Sequence, residues 1–189
     1  MAKAKGRDTW RLKEWHDIMA PSMFGSTKIG ETMATEPKQI KGRILETTLG
    51  DLTDDFSKSH VKLRFKLKEV QDGQVSTGYI GHNLSREYVR SQVRRWATKV
   101  DCITDVTSKD GRKLRIKAIA ISLRRIRHSQ IKSIRSEMEK TLKDRCRELE
   151  FDQLVQELVL GKLASDIYNV IKEICPIRRV EVQKSRVIK

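Results

Sequence analysis

The chain has 189 residues, with 40 Lys and Arg against 25 Asp and Glu, and so a formal charge of +15. That length supports a real hydrophobic core, and the 38% hydrophobic fraction is low without being that of a disordered chain. No apolar run approaches the roughly 20 residues that cross a bilayer, and Met1-Ala2-Lys3-Ala4-Lys5-Gly6-Arg7 has no apolar stretch after it, which argues against a signal peptide and for a cytoplasmic location.

Residues 1–37 lack a long periodic pattern and are rich in polar residues, with Gly6, Gly25, Gly30, Pro21 and Pro37 among them. They read as an extended N-terminal arm with a short turn of helix around Thr9–Met19. Trp10, Trp15 and Phe24 are there either to staple the arm to the body or to stack on bases, since aromatic faces serve both purposes. Residues 38–128 read as a β-rich core with one inserted helix. Ile40, Ile44 and Leu45 suggest a first strand, ending before a turn at Leu49-Gly50-Asp51. Val61–Lys68 alternates apolar and cationic residues without a break, the period of a half-buried strand. Asp72-Gly73 is a hairpin signal, followed by a partner strand from Gln74 to about Ile80. Ser85 is a plausible N-cap for a helix running to about Thr98, with Val89, Val93 and Trp96 on one face. A second hairpin pairs Val100–Thr107 with Leu114–Leu123 around Asp110-Gly111. The phase switch after Lys117 predicts a bulge or burial on both faces.

Residues 129–175 read as helical. Ile131, Ile134, Met138, Leu142, Cys146 and Leu149 share a face, with Ser129 as cap. A second helix carries Phe151 to Val159 and stops at Gly161. A third carries Leu163, Ile167, Ile171 and Ile174 and ends at Pro176. Residues 176–189 read as a strand with a basic tail. The class is α+β: an antiparallel sheet, or a small β-barrel-like core of hairpins, with flanking helices.

The charge is concentrated. Residues 109–135 are net +9, the two ends (1–43 and 175–189) are +4 each, and 136–174 are net −3. Such asymmetry is the electrostatic footprint of a nucleic-acid binder. The acidic stretch is expected to face away from the polyanion or towards a protein neighbour. Candidate RNA-binding cations are Lys3, Lys5, Arg7, Arg11 and Lys13 in the arm. Arg112, Lys113, Arg115 and Lys117 follow on the second hairpin, then Arg124, Arg125, Arg127, Lys132 and Arg135 at the strand–helix junction, and Arg178, Arg179 and Lys184 at the end. At the junction, a helix N-terminus would present N–H groups to a phosphate, with guanidinium forks beside them.

No catalytic constellation emerges. His16, His60, His82 and His128 lack metal-ligand spacing, and Asp54-Asp55 has neither a His nor a nucleophile near it in sequence. Cys102, Cys146 and Cys175 are widely spaced and suggest neither a disulfide framework nor a zinc site. Gly78-Tyr79-Ile80-Gly81 has the spacing of a KH loop, but it follows a strand, and a strand end needing permissive residues is the simpler reading. The chain is therefore expected to be no enzyme and to need no cofactor or metal.

Ile40-Lys41-Gly42-Arg43-Ile44-Leu45-Glu46-Thr47-Thr48-Leu49-Gly50-Asp51-Leu52 resembles the signature of the archaeal and eukaryotic-type small-subunit ribosomal protein family S-one-e, also called S-three-A-e. All nine specified positions of that pattern are met. The likeness continues through Trp10, Lys13 and Trp15, Ala20-Pro21 and Phe24, Arg94-Arg95-Trp96, Lys109-Asp110-Gly111, Ser129-Gln130-Ile131 and Pro176–Glu181, and the compact ends look archaeal. The resemblance implies a structural constituent of the small ribosomal subunit. It implies a place on the platform near the messenger RNA exit, rRNA and neighbouring ribosomal proteins as partners, messenger RNA near the exit site as a further contact, and a β-barrel-like core. Within the signature, Arg43 is the one candidate phosphate ligand, and the remainder is read as fold-determining. Neither membrane binding nor homo-oligomerisation is expected. The rival reading is a non-ribosomal RNA chaperone or translation regulator, which shares the charge but predicts an exposed, modular RNA surface.

Overall fold

The computed structural model describes residues 9–71 and 73–188. The fold is α+β, with eight strands and five α-helices among those residues. Contacts divide the chain into two units that are discontinuous in sequence, because strands pair across long separations. Residues 1–47 and 64–79 make the first unit, and residues 48–63 and 80–189 the second.

In the first unit, β1 (Glu14–Met19) and β2 (Lys28–Ala34) pair antiparallel, with Trp15 opposite Met33 and Ile18 opposite Gly30. Over these residues the expected arm is instead a strand pair, and the expected turn of helix is a 3-10 turn, Thr9–Leu12, that gives way to β1. Polar His16 explains the difference. It is buried beside Ile18, so Glu14–Met19 does alternate in burial while its hydrophobicity hides the period. Residues 1–8 lie outside the described residues. β3 (Ile44–Thr48) pairs with β4 (Val61–Gln71), and β4 with β5 (Gln74–Leu84), while the start of β5 runs parallel to β1 at Asp17↔Gln74 and Ile18↔Val75. Ile40 stands outside any strand, at the end of a 3-10 turn, yet it is fully buried with Ile18, Ala34, Leu67 and Val75. Phe65 packs edge to face against both Phe24 and Tyr79 nearby, with centroids 5.8 and 6.4 Å apart, and the Phe24 and Tyr79 rings are tilted 40° to each other.

The signature residues act locally in both units. Gly42 takes φ +93° and donates its N–H to Leu67 O at 2.9 Å, while Leu67 N–H donates to Arg43 O at 2.9 Å. The expected turn at Leu49 is a short helix, α1 (Leu49–Thr53). Thr48 Oγ1 accepts from Asp51 N–H at 3.2 Å, and the Asp51 carboxylate accepts from Thr48 N–H at 3.1 Å, a reciprocal capping box.

In the second unit the strand order is β5–β8–β7–β6, from β6 (Lys99–Thr107), β7 (Lys113–Ser122) and β8 (Ile177–Ile188). In neither unit does the order close on itself, so the open sheet is adopted and the barrel is not. The β7/β8 register slips at Lys117/Ala118, and every residue from Ala118 to Ser122 is buried. Both consequences of the phase switch are therefore present. Gly81 lies where β5 meets β8, and a Cβ there would overlap Ser185 O. The Gly78–Gly81 segment is strand interior, not a KH loop.

Ser85 Oγ accepts from Tyr88 N–H at 3.3 Å and starts α2 (Arg86–Gln92). The helix stops at Val93 instead of Thr98, so the expected apolar face does not form. Val89 is buried, but Val93 and Trp96 are exposed. α3 (His128–Glu148) is capped from Arg127, not Ser129, because Gln130 Oε1 reaches back to accept from Arg127 N–H at 3.1 Å. Its stripe Ile134, Met138, Leu142 and Cys146 is fully buried, and the helix packs on β6 and α5. α4 (Phe151–Leu160) ends at Gly161, φ +86°, which opens α5 (Lys162–Ile171), and α5 packs on β8. α5 stops short of Ile174.

Candidate nucleic-acid interface

Strand register decides which basic side chains meet. On β7 and β8, Arg115 lies directly opposite Arg186, and Lys117 opposite Lys184. Three of the four are exposed, and Lys117 is partly so. Like charges directly opposite one another destabilise a sheet. Asp105 on β6 relieves one of them. Arg115 Nε and Nη2 donate to the two Asp105 carboxylate oxygens at 2.7 and 2.8 Å. That fork holds the Asp105 carboxyl below its ordinary range and raises the guanidinium. Lys117 lies 3.7 Å from Asp101, which also meets Lys99 at 3.1 Å. On the β8 side no acid enters the pattern, since Lys184 and Arg186 lie opposite Asn83 and Gly81 of β5. Arg186 was absent from the sequence expectation, although it continues the alternation that includes Lys184.

The other end of the same ladder is also basic. β7 ends at Ser122, beside the start of β8, and Leu123 N–H donates to Pro176 O at 3.0 Å. Arg124, Arg125, Arg127 and His128 follow, all exposed, leading into α3. Arg178 and Arg179 leave Pro176 on the neighbouring strand. Arg178 donates to Gln92 O at 3.3 Å, and Arg179 pairs with Glu181 at 2.7 Å and lies 5.5 Å over the Tyr88 ring.

The expected cations thus separate into two kinds. Lys113, Arg124, Arg125, Lys132 and Lys184 are exposed and have no side-chain ion pair or hydrogen bond among the described residues. Others have structural work. Arg43 donates to Thr32 Oγ1 at 2.8 Å and Met33 O at 3.0 Å, binding the signature segment to β2. Arg112 lies 4.6 Å over the Phe151 ring, in the turn whose Asp110 accepts from Phe151 N–H at 2.9 Å. Arg135 donates to Asp101 O at 3.0 Å. Lys13 sits 4.0 Å over Trp10, and both Trp10 and Trp15 stay largely exposed instead of stapling a core. Lys3, Lys5 and Arg7 lie outside the described residues, as does the Arg11 side chain. Lys13 and Arg43 belong to the first unit, and the cations from Arg112 onward to the second.

The acidic stretch is compensated in part from within. Arg145 bridges Asp166 at 3.1 Å and Glu148 at 3.5 Å, Lys143 meets Glu139 at 2.7 Å, and Lys162 meets Glu157 at 2.6 Å. Among the described residues, no group of three or more His, Cys, Asp or Glu is placed to hold a metal ion.

Compared with known proteins, the chain matches the Ribosomal S3Ae family over residues 1–189. It belongs to that family. Three archaeal S3Ae relatives, each named small ribosomal subunit protein eS1, show how far the likeness extends. The Sulfurisphaera tokodaii protein is 44% identical over 188 residues, covering 100% of this chain and 97% of its own length. The Methanothermobacter thermautotrophicus protein is 42% identical over 191 residues, covering 100% and 98%. The Methanothrix thermoacetophila protein is 42% identical over 178 residues, covering 94% and 84%. S3Ae membership agrees with the Gly42–Leu52 resemblance, and the structure gives Gly42, Arg43, Thr48 and Asp51 of that signature defined backbone roles.

Proposed function

We propose that this chain is a structural constituent of the small ribosomal subunit, that it binds rRNA, and that it sits on the platform near the messenger RNA exit among neighbouring ribosomal proteins. The observation that carries the RNA-binding part is the register that sets Arg115 opposite Arg186 and Lys117 opposite Lys184 across β7 and β8. A protein standing alone pays for such pairs in repulsion. Phosphates laid across the face convert that cost into attraction and release counterions, with a salt slope of roughly −0.7 per phosphate neutralised for single-strand-like RNA. The unpaired Arg124, Arg125 and Lys132 extend the positive field to the start of α3. Recognition of this kind is led by shape, phosphates and 2′-hydroxyls more than by base edges. The role is architectural, and the cytoplasmic ribosome is its location.

The test is sedimentation of tagged protein in native cell extract at moderate salt. The protein is expected in the small-subunit peak, with crosslinks from β7, β8 and the β7–α3 junction to rRNA and further crosslinks from the chain to messenger RNA. Absence from that peak overturns the ribosomal reading.

A further inference from the structure

Trp96 has no place in the core that its spacing from Val89 predicted, and what surrounds it suggests another use. The indole is 75% exposed and its backbone stands at φ +65°, a region that bulky residues seldom occupy. With Ala97, Thr98, Lys99, Arg125, Ile126, His128 and Ile131 it lines a cleft of about 580 Å³ in the second unit. That volume lies within the range of small-ligand sites, roughly 300–1,000 Å³. The lining holds three basic side chains and no carboxylate.

The cleft is held open by its own backbone. The segment carrying Trp96 and the segment carrying Arg125 are joined through Thr98 and Ser122. Thr98 N–H donates to Ser122 Oγ at 2.9 Å, Ser122 N–H to Thr98 O at 3.0 Å, and Ile126 N–H to Thr98 Oγ1 at 3.3 Å. Ser122 Oγ also donates to Arg124 O at 2.5 Å. Both walls are therefore fixed before any ligand arrives, which lowers the ordering cost of binding. His128 and Ile131, in the first turn of α3, line one side.

We propose that this cleft takes one unpaired RNA nucleotide, its base stacked on Trp96 and its phosphate against Arg125 and His128 at the start of α3. The inference rests on the RNA-binding reading above and adds a defined site to it. A flat aromatic plane beside cations suits a splayed base, because every base has a π-face and duplex RNA hides it. A protein segment is the poorer occupant. Arg94, Arg95, Arg124 and Arg127 flank the cleft in sequence, and an apolar peptide answers none of them.

The experiment uses the full chain with Trp10→Phe and Trp15→Phe, so that Trp96 is the sole indole of the three. Single-stranded oligo(rA) and an RNA duplex of equal length are titrated against its fluorescence. Single strands are expected to quench Trp96 and the duplex to leave it unchanged. In the otherwise natural chain, Trp96→Ala is expected to weaken oligo(rA) binding by about tenfold without altering the salt slope. Trp96→Phe should retain most of the affinity, and Arg125→Ala should lower the slope by about 0.7. Trp96 is exposed, so circular dichroism should show Trp96→Ala folded. Undiminished binding by Trp96→Ala with Trp96 unquenched, while salt-dependent RNA binding persists, overturns the cleft and leaves the RNA reading intact. Loss of all RNA binding by the natural chain overturns both. An emission change on adding RNA-free ribosomal protein, with none on adding RNA, assigns the cleft to a protein and also overturns the proposal.

Discussion

His82 is buried on β5, where its ring bridges to β8. Nε2 lies 3.0 Å from Val182 O and Nδ1 2.7 Å from Ser185 Oγ. A carbonyl only accepts, so Nε2 carries the proton and Nδ1 accepts from the Ser185 hydroxyl. Burial pushes the imidazole pKa down from 6.5 to about 4, against a smaller upward pull from the Val182 carbonyl. The folded state therefore keeps His82 neutral where the unfolded chain has taken a proton. Stability is complete above pH 6.5 and is lost as pH falls towards 4, by on the order of 3 kcal/mol from this group. Urea midpoints of the natural chain and of His82→Gln measure this. Between pH 6.5 and 4 the natural chain should lose more stability than the variant, whose side chain does not titrate. Equal slopes would show that His82 is not held neutral. None of this is visible in the sequence, where His82 shows only that it lacks metal-ligand spacing. Its burial comes from a strand about a hundred residues away.

The helices and hairpins were legible to different degrees, and the reason is local. The second hairpin, α3 and α4 announce themselves because their apolar residues keep one period and their ends carry local stops such as Gly161. The Ile134, Met138, Leu142 and Cys146 stripe was expected and is fully buried. Leu142→Ala should cost about 2–5 kcal/mol as a cavity opens against β6 and α5, read from thermal or denaturant unfolding. A loss under 1 kcal/mol would mean that the site relaxes and α3 is not firmly seated. Val89, Val93 and Trp96 keep helical spacing beyond the end of α2, through a segment whose backbone turns away at Val93. The β1–β2 pair is hidden in the sequence because buried His16 stands where the alternation needs an apolar residue. Periodicity reports what a segment can bury. Its neighbours decide whether it does.

At the scale of the whole molecule, the +15 is not spread as a uniform coat. The largest share, +9, falls in residues 109–135, on β7 and at the β7–α3 junction, while Arg43 and Arg135 are held in hydrogen bonds to β2 and β6. The second unit also holds all three thiols, each buried and free. Burial raises all three, Cys146 to about 12. A thiol reagent at pH 8 should leave the native protein unmodified and label Cys102, Cys146 and Cys175 together across one denaturant transition. Early labelling of one alone would show local opening of its element. The family, the α+β class, the sign and concentration of the charge and the periodic elements are all legible in the residues alone, because each is written in residue type and near-neighbour spacing. Tertiary structure alone decided which cations are free. Arg115, Arg43 and Lys184 are alike as residues, yet one is forked onto Asp105, one is bound to β2, and one stands unpaired opposite another cation. Those differences come from strand register between distant segments, and no local pattern encodes register.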